Sequence, residues 1–294
     1  MLQSPEWDDY FDEIHGRPVI DLPFWRGGCP EVAPATVEVV RIEIDGHPAT
    51  AAELSHFALV NYGHFTAMQV REGRTRGLDL HLARLDAAQR ELFGGGLDPA
   101  LVRSRIRHAL GETRDASVRV TGFWPEGAAE PSLLVSVRPP ADTPRSPQSL
   151  RTAPYQRPVA HVKHLGGFGQ RYYGHLARSA GFDDALLVGP GGVVSEGAIT
   201  NLGCYDGTSV VWPDAPALDG ITMLLLERAL PGEGVPSRRG PVHVADLPSY
   251  TSVFVTNTHG VAAVDRVDDV RLPVSEGFMK TLMRTYEAVP WDLI

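Results

Sequence analysis

The chain has 294 residues, a formal net charge of -9 at pH 7 and a pI near 5.6, and it is long enough to bury one large core or two smaller ones without disulfide staples. The acidic balance, and the lack of any basic stretch interleaved with aromatics, exclude a general nucleic-acid binder. Cys29 and Cys204 match no disulfide framework or metal-ligand spacing, no apolar run reaches the roughly 20 residues of a membrane span, and the acidic start MLQSPEWDDYFDEIHGRP lacks the pattern of a secretory signal, so a cytoplasmic protein with no membrane partner is expected.

Along the chain, Val37 to Ile44 alternates as a strand does and meets a turn at Asp45-Gly46. The stretch HFTAMQVREGRTRGL predicts a strand, a Glu72-Gly73 turn and a return strand. His81 to Phe93 places Leu82, Leu85 and Leu92 on one helical face, and Gly94 to Gly96 stop that helix. Asp98 caps a second helix with Pro99 in its first turn, and ASVRVTGFW and SLLVSVRPP read as two further strands. Between Pro139 and Pro147, PPADTPRSP sustains neither a helix nor a central strand. It divides the chain into a small N-terminal α/β domain over 1–138, a linker over 139–149 and a larger C-terminal domain over 150–294. Beyond it the pattern predicts a helix near Gln170 to Ala180, a strand in DDALLVG and a turn at 189–192. VVSEGAITNLGCYDGTSVVWP then reads as successive antiparallel strands, ITMLLLERAL as a helix, and SVFVTNTHGVAAV as a strand, a polar loop and a strand. The expected class is α+β in two domains, with sites where the domains meet.

Of the 27 Lys and Arg residues, 25 are Arg, so the Lys163 of VAHVKHLGGFG stands out. It is either a surface lysine or an amine kept for what a guanidinium does badly, since Lys loses its proton on burial and forms Schiff bases. Gly166, Gly167 and Gly169 after it allow another molecule close to the backbone. Glu196 lies in the otherwise apolar GGVVSEGAITNL, where it either faces solvent or holds something cationic such as a protonated pyridine nitrogen. Gly220, Ile221 and Thr222 open a helix whose free N–H groups favour a phosphate, Thr256, Asn257 and Thr258 form a polar loop between apolar strands, and Arg84 adds a fixed charge. Lysine, carboxylate, arginine and a phosphate cup together make the set that pyridoxal phosphate (PLP) requires. His161, His164 and His175 have no further ligand at metal spacing, so no metal site is expected.

The motifs HLARL (81–85), Lys163, DDALLV (183–188), SEGAITNL (195–202), GIT (220–222) and VTNTHGVAAV (255–264) resemble, in order and spacing, the fold-type IV PLP-dependent enzymes, or class IV aminotransferases. That family includes branched-chain and D-amino acid aminotransferases and aminodeoxychorismate lyase. The resemblance covers most of the chain from about Val37 onward and implies a C-terminal domain with a β-barrel-like core. It implies that Lys163 is catalytic and holds PLP as an internal aldimine, that Glu196 partners the ring nitrogen, and that Arg84, Ile221, Thr222, Thr256 and Asn257 bind the phosphate. It further implies a homodimer, and an amino donor and a keto acid acceptor as substrates. TGFWPEGAAEPS lacks the Arg and His of the D-amino acid enzymes, which disfavours that activity. The KHL pattern is similar to aminodeoxychorismate lyase, a pyruvate-releasing alternative, yet HFTAMQV has Ala67 where the lyase carries the second Thr of a pair, which favours a transaminase.

Overall fold

The computed structural model describes residues 41–144 and 146–294. Cys29, the acidic start of the chain and the Val37–Val40 part of the first predicted strand lie outside the described residues. The first sheet begins with β1 (Arg41–Ile44) and β2 (His47–Pro48), a hairpin turned at Asp45 and Gly46, whose φ values of 47° and 87° suit the tight connection. Next comes α1 (Ala51–Leu59), which the apolar pattern did not announce; Thr50 and Glu53 form a full capping box at its start.

β3 (Gly63–Val70) leads through the expected Glu72-Gly73 turn to β4 (Arg74–Arg76), but their pairing is confined to one bridge at the turn. Arg71 and Arg74 close the turn with reciprocal 2.9 Å backbone bonds, after which β4 pairs with Trp291–Leu293 and β3 pairs with β5 (Ala116–Phe123). Between them run α2 (Leu78–Phe93), ended by a left-handed Gly94, and α3 (Pro99–Leu110), capped by Asp98 through Ala100 N–H at 2.8 Å. With β6 (Ser132–Arg138) the order becomes β2-β1-β6-β5-β3, antiparallel throughout. Leu82, Leu85, Val102 and Ile106 of the helices pack on Met68, Val118 and Val135 of the sheet. β3 is therefore an edge strand.

The second sheet contains β7 (Gln148–Pro154), β8 (Asp184–Val188), β9 (Val194–Gly197), β10 (Asn201–Tyr205), β11 (Val210–Pro213), β12 (Ser237–Gly240), β13 (Ser252–Asn257), β14 (Gly260–Val267) and β15 (Val270–Arg271). Its order is β12-β11-β10-β13-β14-β7-β8-β9, with β15 on β14, and it curls into a half-barrel. The expected run of successive antiparallel strands holds for β10 and β11 but is corrected for β9, which pairs with β8, whereas β10 lies between β11 and β13. Gly197 N–H closes a 2.8 Å turn on Thr200 O and Ala198 N–H donates to Ala185 O at 2.9 Å, so the connection stays tied to β8 and the chain leaves it in a new direction. Around this sheet lie α4 (Phe168–Ser179), α5 (Ile221–Ala229) and α6 (Glu276–Glu287), and the last strand, β16 (Trp291–Leu293), returns to β4. Among the described residues no helix is long and apolar enough to cross a membrane.

Candidate active site

Lys163 is placed by the edge of the first sheet. Phe65 N–H donates to Lys163 O at 2.8 Å and Leu165 N–H donates to Gly63 O at 2.9 Å, so residues 163–165 extend the sheet beyond β3. The sequence permits this only because residue 63 is glycine: a Cβ there would lie 2.7 Å from Gly122 O and 2.9 Å from Leu165 Cδ1. The amine stands 5.0 Å from the centroid of the Phe65 ring, and the guanidinium of Arg119 on β5 lies 3.6 Å from the same centroid. Burial, then the charges of Arg84 and Arg157, bring the Lys163 amine from 10.5 down to about 7, against the smaller opposing pull of Glu196. It is a lysine held close to neutrality.

Glu196 comes from the other sheet. On β9 it is 6% exposed, opposite Leu187 of β8. Its Oε2 accepts from Leu218 N–H at 3.1 Å, and its Oε1 lies 3.5 Å from Arg157 Nε yet has no hydrogen bond. Burial raises its pKa, and Arg157 is the largest influence opposing that rise. The loop before α5 fixes the surroundings. Asn201 Nδ2 donates to Leu218 O at 2.6 Å, Arg84 Nη2 donates to Asp219 O, and Arg239 binds the Asp219 carboxylate at 2.6 Å. Gly220 must be glycine, since a Cβ would run into Asn201 Oδ1.

The expected phosphate residues gather at one end. Arg84 projects from α2, its pKa brought down to about 10 by burial and by Arg157. Ile221 and Thr222 are buried at the start of α5, where the first N–H groups have no intrahelical acceptor. The Thr222 hydroxyl donates to Asn257 O at 2.7 Å, so its backbone N–H is the group left for an anion. Asn257 Oδ1 accepts from His259 N–H at 2.8 Å, which leaves its amide NH2 as donor. The buried Thr256 hydroxyl has no hydrogen-bond partner among the described residues. Beside this end is a cavity of about 300 Å³ lined in part by His81, Ile221, Thr222 and Thr258. His81 accepts or donates a 2.7 Å bond to Thr66 Oγ1 and stays neutral, its pKa brought down to about 3 chiefly by burial.

The structure thus brings Lys163, Glu196 and Arg84 into one charged neighbourhood, with Ile221 and Thr222 at the start of α5 and Thr256 and Asn257 at the end of β13 and not in the expected loop. It adds groups that sequence reasoning missed, namely Arg119, Arg157, Asn201, Leu218 and Asp219. Two of these act through backbone atoms, and the two arginines look like any of 25 in the sequence. Of the histidines weighed as metal ligands, His161 pairs with Glu91 at 2.9 Å and His164 bonds Pro158 O at 2.9 Å.

No curated protein matches the sequence at a significant level. Among solved structures, a hypothetical aminotransferase from Mycobacterium tuberculosis in its PLP-bound form superposes with a TM-score of 0.72 at 22% identity, over 80% of this chain and 90% of that one. A fold IV-transaminase from Curtobacterium pusillum gives 0.71 at 22% identity, over 79% and 88% of the two chains. The Escherichia coli branched-chain amino acid aminotransferase gives 0.74 at 16% identity, over 86% and 95%. At these identities the likeness establishes the fold, which is that of the fold-type IV enzymes. The profile of amino-transferase class IV matches residues 63–267, well over half of the sequence, and the chain therefore belongs to the class IV aminotransferase family, whose members work with pyridoxal 5'-phosphate.

Proposed function

We propose that the protein is a PLP-dependent aminotransferase that moves an amino group between an amino acid and a keto acid, with Lys163 as the catalytic amine. The observation that carries this reading is the pairing of a near-neutral lysine with a buried carboxylate whose Oε1 has no hydrogen bond. The residues fit the cofactor: Glu196 Oε1 is an orphan acceptor suited to a ring N–H, and the Thr256 hydroxyl is an orphan donor suited to a phosphate, beside Arg84 and the start of α5.

When bound, PLP supplies an aldehyde that condenses with amines and a ring that withdraws electrons from the attached substrate carbon. Arg84, the N–H groups of Ile221 and Thr222, Thr256 and the Asn257 amide would hold its phosphate. Glu196 Oε1 would accept the ring N–H and keep that proton in place. With the cofactor bound, Lys163 Nζ would be the base that takes a proton from the substrate α-carbon and the acid that returns it. With a pKa of about 7 it is free to do both at neutral pH. Phe65 backs the amine and limits the directions from which water reaches it.

Charge balance points to the substrate. Arg84 serves the phosphate and Arg157 faces Glu196, whereas among the described residues no carboxylate pairs with Arg119. A substrate carboxylate completes that count, which favours an amino acid over a simple amine. The M. tuberculosis protein has also been solved with α-ketoglutarate and PMP, a combination in keeping with this reading. Against the lyase alternative, the Thr66 hydroxyl is committed to His81 and Ala67 carries none. The same reading includes the division at 139–149, a homodimer and a cytoplasmic location. A single-turnover panel of amino acids tests it: a donor should convert the bound cofactor to its pyridoxamine form. Pyruvate release from aminodeoxychorismate without that conversion would sink the transaminase and favour the lyase.

A further inference from the structure

The most unusual contact in the site is one that stops short of a hydrogen bond. Arg157 and Glu196 have side chains only 7% exposed each, and their charges are 3.5 Å apart, yet among the described residues neither Arg157 Nε nor Glu196 Oε1 has a hydrogen-bond partner. Buried carboxylates and guanidiniums usually close into direct, often bidentate, pairs. Here the approach is blocked from the arginine side. Arg157 Nη2 is tied to Ala160 O, Val162 N–H donates to Val159 O at 3.0 Å, and His164 Nε2 bonds Pro158 O at 2.9 Å. That compact turn forces Val159, a β-branched residue, to a φ of 47°, a conformation that costs energy and persists only where its surroundings impose it. The strained turn leads directly into Lys163.

We infer that Arg157 is a positioning residue that supplies the charge keeping Glu196 ionised while leaving Glu196 Oε1 unbonded for the N–H of a cofactor ring. Among the described residues nothing else nearby does this. Leu218 N–H bonds only Oε2, Lys163 is close to neutral, and Tyr155 is a weak acid whose own pKa burial raises. Without a permanent cation a carboxylate at this depth takes up a proton, and a neutral acid offers its own N–H-competing proton in place of a negative charge. A closed pair would fail differently, by putting an arginine N–H on Oε1, the oxygen that is otherwise open to the ring N–H. The guanidinium stays protonated at neutral pH, so the support does not depend on a titrating neighbour there. The inference rests on the assignment of Glu196 as ring partner, and its test can fail separately from that assignment.

The test uses the full chain, first without cofactor. In Arg157→Met at pH 7, infrared spectroscopy should show a carboxylic acid band that is absent from the wild type and from the Arg157→Met/Glu196→Gln double variant. With cofactor, Arg157→Met should raise the Kd for PLP about tenfold or more, the equivalent of one pKa unit at the acid. The double variant should bind no more weakly than Glu196→Gln alone, because a positioning residue has nothing left to position. An ionised Glu196 in Arg157→Met, or losses that add independently, overturns the inference. Should Arg157→Met fail to fold, Arg157→Lys decides: an ionised Glu196 with affinity nearer the wild type than Glu196→Gln supports it, and a protonated Glu196 overturns it. A wild-type protein that takes up no PLP would refute the proposed function while leaving the infrared result on Glu196 intact.

Discussion

Because the chain has only two lysines, the state of Lys163 can be read directly by competitive labelling with an amine-reactive reagent, using the exposed Lys280 as internal reference. An amine at the ordinary 10.5 is neutral in about one molecule in 3,000 at pH 7, whereas one brought to about 7 is neutral in about half, a gain of roughly a thousandfold in the reactive form. The labelling rate of Lys163 in the cofactor-free protein should therefore rise to a plateau with a midpoint near pH 7. Arg84→Met removes the largest charged contribution to the shift, so the midpoint should move upward. Linkage supplies an independent check. Between about 7 and 10.5 the unfolded chain binds a proton that the folded chain does not, so stability should increase with pH across that window. Lys163→Met should flatten the increase. A Lys163 rate still climbing through pH 9, with the same profile in Arg84→Met, would refute the electrostatic account of this amine.

Lys163→Ala should abolish the visible absorbance of the PLP-loaded protein, and a band that survives would remove Lys163 from its role. Glu196→Gln should keep PLP bound but slow proton abstraction, read as a lower kcat with a primary isotope effect at the substrate carbon. Arg119→Gln should raise KM for the keto acid by about tenfold or more, the loss of one charge-assisted hydrogen bond, and leave the absorbance of the bound cofactor unchanged. Arg239→Ala frees Asp219, and through it Arg84, so PLP affinity should fall by a few-fold in equilibrium dialysis, the scale of a half-exposed ion pair. Thr50→Ala dismantles the capping box of α1 and should cost about 1 kcal/mol in urea unfolding without changing turnover.

Elements with a strong period or a firm stop were legible in the sequence. Leu82 and Leu85 mark the buried face of α2, Gly94 ends it, and Asp98 caps α3 as the residue types dictate. Strand partners were not. Glu72-Gly73 does turn the chain, but nothing local in Arg74–Arg76 says that its partner lies more than 200 residues away at Trp291–Leu293. The same holds for β9 and β10, adjacent in sequence and separated in the sheet by the tie of Ala198 to Ala185. Lys163 and Glu196 were visible as chemical oddities, a lone amine among arginines and an acid among apolar neighbours. Arg157 was hidden because its meaning lies in a 3.5 Å separation that no residue pattern encodes. Leu218 and Asp219 contribute backbone atoms, which any residue type would carry.

The backbone stitch between residues 163–165 and β3 gives the Lys163 amine an unexpected mechanical address. Although Lys163 follows β7 in the chain, its main chain is bonded to the first sheet, whereas Glu196, Thr222 and Thr256 ride on or beside the second. A molecule gripped by both would act as a rivet through the two sheets. The cofactor-loaded protein should accordingly resist proteolysis between Pro139 and Pro147 better than the cofactor-free protein, and Lys163→Ala should forfeit that protection even where PLP still binds.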